Sequence, residues 1–69
     1  MKNLLKVERA RNNLSQSDLA NLVQVSRQTI YAIETYKFMP SAVLAFKIAA
    51  VLKVDINYLF ELEEKDWGN

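Results

Sequence analysis

Ser15-Gln16-Ser17-Asp18-Leu19-Ala20-Asn21-Leu22-Val23-Gln24-Val25-Ser26-Arg27-Gln28-Thr29-Ile30-Tyr31-Ala32-Ile33-Glu34 is the stretch that decides how this 69-residue chain folds. Ser15 is a favoured helix N-cap, and Asp18 three residues later can return the reciprocal bond of a capping box. Leu19, Ala20, Leu22 and Val23 then form an inward face, which predicts a short helix over 16–23. Gln24-Val25 turns the chain, Ser26 is a second cap, and Ile30, Ala32 and Ile33 predict a helix running to Glu34.

The same signals recur outward from this segment. Leu4, Leu5, Val7 and Ala10 give a first helix over 3–12 a partial apolar face that ends before Asn12-Asn13. Thr35 to Met39 reads as a loop, Pro40 restricts the residue before it, and Ser41 caps a fourth helix whose inward side is Leu44, Ala45, Ile48, Ala49 and Leu52. Asp55 caps a last short helix, Ile56 to Phe60, from which Leu59 and Phe60 can return to the core. Glu61 to Asn69 is left as a charged end carrying an exposed Trp67.

Composition narrows the chemistry. With 51% hydrophobic and 25% charged residues in 69, there is room for one core. A fold of this size buries only about 60% of the surface its unfolded chain exposes, which leaves little volume for a deep substrate pocket. The absence of Cys and His removes disulfides, thiolate zinc sites, the commonest neutral metal ligand and the usual general base. No catalytic residue, metal or cofactor is therefore expected, and no enzyme. One Gly and one Pro argue against a turn-rich β fold and for an all-α one. No apolar run approaches the roughly 20 residues of a membrane helix, and Met1-Lys2-Asn3 has no secretory character, so a cytoplasmic protein without a membrane partner is expected.

The net charge of +1 conceals a division. Residues 1–53 carry eight basic and three acidic side chains, giving +5, whereas residues 54–69 carry Lys65 against five carboxylates, giving −4. A basic body with an acidic end fits a polyanion binder whose end faces away from the ligand.

Ala20, Val25 and Ile30 stand where two crossed helices need one small and two apolar residues, which is helix-turn-helix geometry. Arg27, Gln28, Thr29 and Tyr31 are left outward at the start of the second helix, where open amides also attract phosphate. Arg can pair with guanine O6 and N7 and Gln with adenine N6 and N7, while a Thr methyl or Tyr ring can pack on a thymine methyl.

Leu14 to Ala20, Val25 to Ile30, Ala32-Ile33-Glu34, Lys37-Phe38, Pro40-Ser41 and Leu44 to Ala49 together resemble the small helix-turn-helix regulators related to the lambda Cro and cI repressors, over about residues 3–60. The resemblance implies a compact five-helix, lambda-repressor-like domain over 1–60, its motif at 15–34, and an acidic extension at 61–69 available for a dimer contact. It implies base reading by Arg27, Gln28 and Tyr31 with Thr29 nearby, and a phosphate contact by Gln16, which also braces Gln28. It further places Ser26, Lys37, Thr35 and Arg11 at the sugar-phosphate backbone and pairs Arg9 with Glu34 as a structural ion pair. In some compact members the chain ends pair as short strands, and Phe60-Glu61-Leu62-Glu63 has the alternation for one.

Three positions depart from the family's pattern. Gln24 stands where glycine is usual, Thr35-Tyr36 replaces a common Asn-Gly, and Glu8 occupies a place in helix one often held by an apolar residue. The function implied is a sequence-specific double-stranded DNA-binding regulator, a repressor of a palindromic operator acting as a homodimer, with no small-molecule effector evident. Ile56, Tyr58, Leu62 and Trp67 exceed the apolar needs of a tail and are the dimer candidates. The competing reading is a protein-interaction module, such as an antitoxin or adaptor subunit, on the same scaffold.

Overall fold

The computed structural model describes residues 1–68, so Asn69, the last residue of the expected 61–69 extension, lies outside the described residues. Five α-helices follow one another: α1 (Leu5–Arg11), α2 (Gln16–Val23), α3 (Arg27–Glu34), α4 (Ala42–Leu52) and α5 (Ile56–Leu59). Two short strands, β1 (Lys2–Asn3) and β2 (Phe60–Glu61), pair antiparallel with Lys2 opposite Glu61 and Asn3 opposite Phe60. A single 3₁₀ turn, Glu64–Trp67, follows β2. The fold is the expected all-α five-helix domain with a short strand near the C-terminus.

Caps set the helix starts. Ser15 Oγ accepts from the Asp18 amide at 3.0 Å while Asp18 accepts from the Ser15 amide at 2.9 Å, completing the capping box. Ser26 and Ser41 each accept from the amide three residues on, at 3.2 Å, and Asp55 accepts from Asn57 at 2.7 Å.

The helix ends share one device. After α1, α2, α3 and α4 the chain enters the left-handed region at Asn13 (φ 57°), Gln24 (63°), Tyr36 (64°) and Lys53 (60°). The next amide then reaches back five residues, in the bonds Leu14 to Arg9, Val25 to Ala20, Lys37 to Ala32 and Val54 to Ala49. These are four Schellman closures, each built without glycine. Such a closure usually sends the residue after the left-handed position onto the helix it terminates. Leu14, Val25 and Val54 do pack on the core, whereas the fourth such residue, Lys37, is exposed.

The core gathers Leu5, Leu19, Ala20, Val23, Ile30, Ile33, Leu44, Ile48, Ala49, Leu52 and Leu59. Two expectations for its outer helices are corrected. Helix one is shorter than 3–12 because Lys2-Asn3 pairs as a strand, and its inward face is Leu5 and Glu8, with Leu4, Val7 and Ala10 exposed. Leu22 in α2 is 57% exposed, since Leu19, Ala20 and Val23 already fill the face toward α3 and α4. At the C-terminus, Phe60 leaves α5 to begin β2, ending the helix one residue earlier than expected.

Glu8 is 2% exposed, yet its carboxylate is satisfied from two sides. Tyr58 Oη donates to Oε2 at 2.7 Å, and Arg11 Nε lies 3.3 Å from Oε1. The hydrogen bond to Glu8 raises the Tyr58 phenol above its ordinary value, and partial burial adds to the shift.

The acidic end is folded back on the start of the chain. The Met1 ammonium lies 2.9 Å from both Glu63 Oε1 and Asp66 Oδ2, and Lys2 Nζ lies 3.3 Å from Glu61. Between the strands and the motif, Asn3 Nδ2 donates to the Ile33 carbonyl at 3.0 Å and Asn3 Oδ1 accepts from the Leu5 amide at 3.1 Å.

Candidate nucleic-acid interface

Burial of Ile30 and Ile33 fixes the rotation of α3 and turns the other side of the helix outward. Arg27, Gln28 and Tyr31 come together there around a shallow hollow of about 240 Å³, Arg27 one turn before Tyr31. Tyr31 is 52% exposed on a helix whose two isoleucines are fully buried, so its ring is not needed by the core. Arg27 has no carboxylate within ion-pairing distance among the described residues, and neither has Lys37. Both therefore keep their full charge for an external anion.

Thr29 and Ser26 are placed differently from this trio. The two hydroxyls lie 3.0 Å apart, and Ser26 Oγ also caps the Thr29 amide. Thr29 thus has its hydroxyl engaged within the protein. Thr35 Oγ1 likewise donates to the Tyr31 carbonyl at 2.9 Å, the back-bonding common for Thr near a helix end.

Gln16 opens α2, but the expected brace to Gln28 is replaced by another partner. Its Nε2 donates to Glu34 Oε1 at 3.1 Å. Glu34 simultaneously holds Arg9, whose Nε lies 2.8 Å from Oε2, and Arg9 Nη1 donates to the Leu14 carbonyl at 2.8 Å. The Arg9–Glu34 pair is mostly buried, with side chains 15% and 5% exposed, and it ties α1 to the end of α3. Arg11 is not part of this group: its ion pair with Glu8 sets it beside Tyr58 of α5.

Two residues that were given no DNA contact from sequence also lie close by. Lys47 of α4 donates to Gln24 Oε1 at 3.4 Å, bringing a cation to the turn between α2 and α3. Tyr36, in its left-handed conformation, is 65% exposed beside Lys37. Tyr36 was visible as a departure from the usual glycine, but Lys47 carries no sequence signal apart from its charge.

At the other end, Ile56 packs partly against the core and offers little free surface. Tyr58, Leu62 and Trp67 are 48%, 57% and 73% exposed. Leu4, expected on the inward face of helix one, instead joins Tyr58 in lining an open hollow of about 440 Å³.

Among the described residues no group of three or more acidic side chains could hold a metal ion. No helix is long and apolar enough to cross a membrane.

A family model described as helix-turn-helix matches residues 5–59, which spans α1 through α5. The chain belongs to the helix-turn-helix family. It is 53% identical over 66 residues to an uncharacterized HTH-type transcriptional regulator of Methanocaldococcus jannaschii, covering 96% of this chain and all of that relative. It is 42% identical over 66 residues to one from Bacillus subtilis, again covering all of the relative. A third such regulator, from Archaeoglobus fulgidus, is 39% identical over 66 residues and covered to 93%. Within the matched residues, α2 and α3 are joined by the short turn at Gln24.

Proposed function

We propose that this helix-turn-helix protein is a sequence-specific double-stranded DNA-binding regulator, a cytoplasmic repressor that occupies a palindromic operator as a homodimer. The observation that carries the proposal is the outward grouping of Arg27, Gln28 and Tyr31 on α3, flanked by Lys37 with no acidic partner among the described residues. Arg27 pairs with a guanine edge, Gln28 with an adenine edge, and Tyr31 packs on a thymine methyl in the major groove. Thr29, its hydroxyl held by Ser26, contributes its methyl group. Gln16, Ser26, Lys37 and Thr35 track the sugar-phosphate backbone, Lys37 supplying affinity without sequence information. Arg11, occupied by Glu8, is the weakest member of that set.

Residues 1–60 act as the reading head and 61–69 as its dimer contact. One recognition helix reads only a few base pairs, so operators usually offer two half-sites about 34 Å apart. Tyr58, Leu62 and Trp67, with Leu4, supply the apolar surface for the contact, and Ile56 supports it from beneath.

The interaction-module reading has one observation in its favour. Val43 and Phe46 on the outward side of α4 are 69% and 61% exposed, apolar surface in addition to that of the C-terminal end.

Selection of bound duplexes from a random pool at fixed salt tests the proposal, repeated with Arg27→Ala and Gln28→Ala. A preferred half-site that each substitution relaxes at one position, by about 1–3 kcal/mol, is expected. No preferred half-site in the wild type, or a preference unmoved by both substitutions, refutes base reading.

A further inference from the structure

Behind the reading face, α1, α2 and α3 meet at one carboxylate. Glu34 is 5% exposed and accepts from Arg9 twice, at 2.8 and 3.3 Å, and from Gln16 Nε2 at 3.1 Å. Arg9 is fixed in turn by the Leu14 carbonyl. An ionised carboxylate only accepts hydrogen bonds, so the Gln16 amide has a single orientation, with its nitrogen toward Glu34. One of its two N–H groups is engaged there. The second makes no other hydrogen bond among the described residues, and Gln16 is the first residue of α2, where amides of the opening turn also lack helical partners.

We infer that Glu34 is a positioning residue for DNA binding: it selects the N–H edge of Gln16 as the edge offered to a backbone phosphate. This rests on the DNA-binding reading proposed above. A phosphate oxygen is an acceptor, so the same amide inverted would meet it with lone pairs of its own. Glu34 is therefore more than one half of a brace between helices, because its carboxylate, and not its pairing with Arg9, sets the polarity of a contact on the outer surface.

Charge and geometry make opposite predictions for Glu34→Gln. Removing a negative charge beside the reading face strengthens attraction to a polyanion. The new amide can also donate to Gln16 Oε1, which lets the Gln16 amide invert, so the positioning role requires weaker binding. The test titrates the full chain against its selected duplex and a scrambled duplex at about 0.15 M salt. Wild type, Gln16→Ala, Glu34→Gln and the double variant are compared, each affinity referred to the folded fraction from its thermal melt.

Gln16→Ala and Glu34→Gln are each expected to bind both duplexes about tenfold more weakly, with base preference unchanged and no further loss in the double variant. Binding by Glu34→Gln equal to or tighter than wild type overturns the inference, as does a double variant weakened by the product of the two single losses. Arg9→Lys keeps a cation beside Glu34 but loses the guanidinium fork, so its melting temperature should fall while affinity per folded molecule stays within about twofold. A tenfold loss there refutes the role assigned to Glu34. Should the wild type select no preferred duplex, the DNA-binding reading fails and this inference with it. If a sequence is selected but Gln16→Ala binds normally, the inference alone fails.

Discussion

Replacing Lys37 with leucine separates what its position needs for folding from what it supplies to DNA. Lys37 follows the left-handed Tyr36 and donates its amide to the Ala32 carbonyl, as Leu14, Val25 and Val54 do at the equivalent bonds of the other three closures. Those three pack on the core, and Lys37 does not. A Schellman closure favours an apolar residue there, so Lys37→Leu keeps the backbone bond and is expected to leave stability unchanged or raise it by about 0.5 kcal/mol. On DNA the loss is one released counterion per subunit, about 0.9 in the slope of log affinity against log salt. Extrapolated from 1 M to 0.15 M salt, that slope corresponds to about fivefold per contact, or roughly thirtyfold for a dimer lacking both lysines. Thermal melts and duplex titrations at several salt concentrations measure the two effects on one variant. An unchanged salt slope, or a loss confined to one operator sequence, refutes the assignment of Lys37 to the phosphate backbone. A drop of more than 1 kcal/mol in stability refutes the argument from the closure.

Three further outcomes are expected. Lys53→Gly removes the Cβ from a left-handed residue and should melt about 2–4 °C higher than Lys53→Ala, a net gain of about 0.5 kcal/mol after the added chain entropy of glycine; calorimetry on the pair isolates the backbone effect. Tyr58→Phe withdraws a hydroxyl from the buried Glu8 carboxylate and should lower the denaturant midpoint, whereas Glu8→Leu should be close to neutral because Tyr58 and Arg11 can turn to water. The terminal clasp has a pH window with two edges. The hydrogen bonds that the Met1 ammonium donates to Asp66 and Glu63 raise it above its ordinary 8.0, so that contribution is present below about pH 8 and is lost as pH rises through the raised value. Hydrogen bonds lower Asp66 and Glu63 below their ordinary 3.8 and 4.5, principally from the Glu63 amide for Asp66 and from the Met1 amine for Glu63. Their contribution is present above those ordinary values and is lost as pH falls through the lowered ones. Trp67 fluorescence anisotropy should accordingly drop at both edges, and acetylation of the Met1 amine should abolish the alkaline one.

The parts of the fold legible in the sequence are those encoded within a few residues. Ser15, Ser26, Ser41 and Asp55 announce their helices because a cap and its amide partner lie two or three residues apart. The outward place of Arg27, Gln28 and Tyr31 follows from the spacing of Ile30 and Ile33. Long-range partners are what the sequence conceals. Glu8 looks misplaced in α1 until Tyr58, fifty residues later, supplies its hydrogen bond. Asn3 reads as the start of helix one until Phe60-Glu61 arrives to pair with Lys2-Asn3. Gln16 was assigned a neighbour on the reading face, but the ionised Glu34 is the stronger acceptor for its amide. Arg11 had a local signal in Glu8, three residues earlier on the same helix, and the resemblance outweighed it.

Asn3 gives the molecule a mechanical property. Its side chain joins the last turn of α3 to the strand pair, and the strand pair is clasped to the 3₁₀ turn that carries Trp67. These contacts hold α3 directly to the C-terminal end, with no linker between them. For a dimer joined through that end, the distance and angle between the two recognition helices would then be set within the protein. Each base pair inserted between half-sites rotates one of them by about 35° around the duplex, so such a dimer would tolerate sequence variation between its half-sites far better than a change in their spacing.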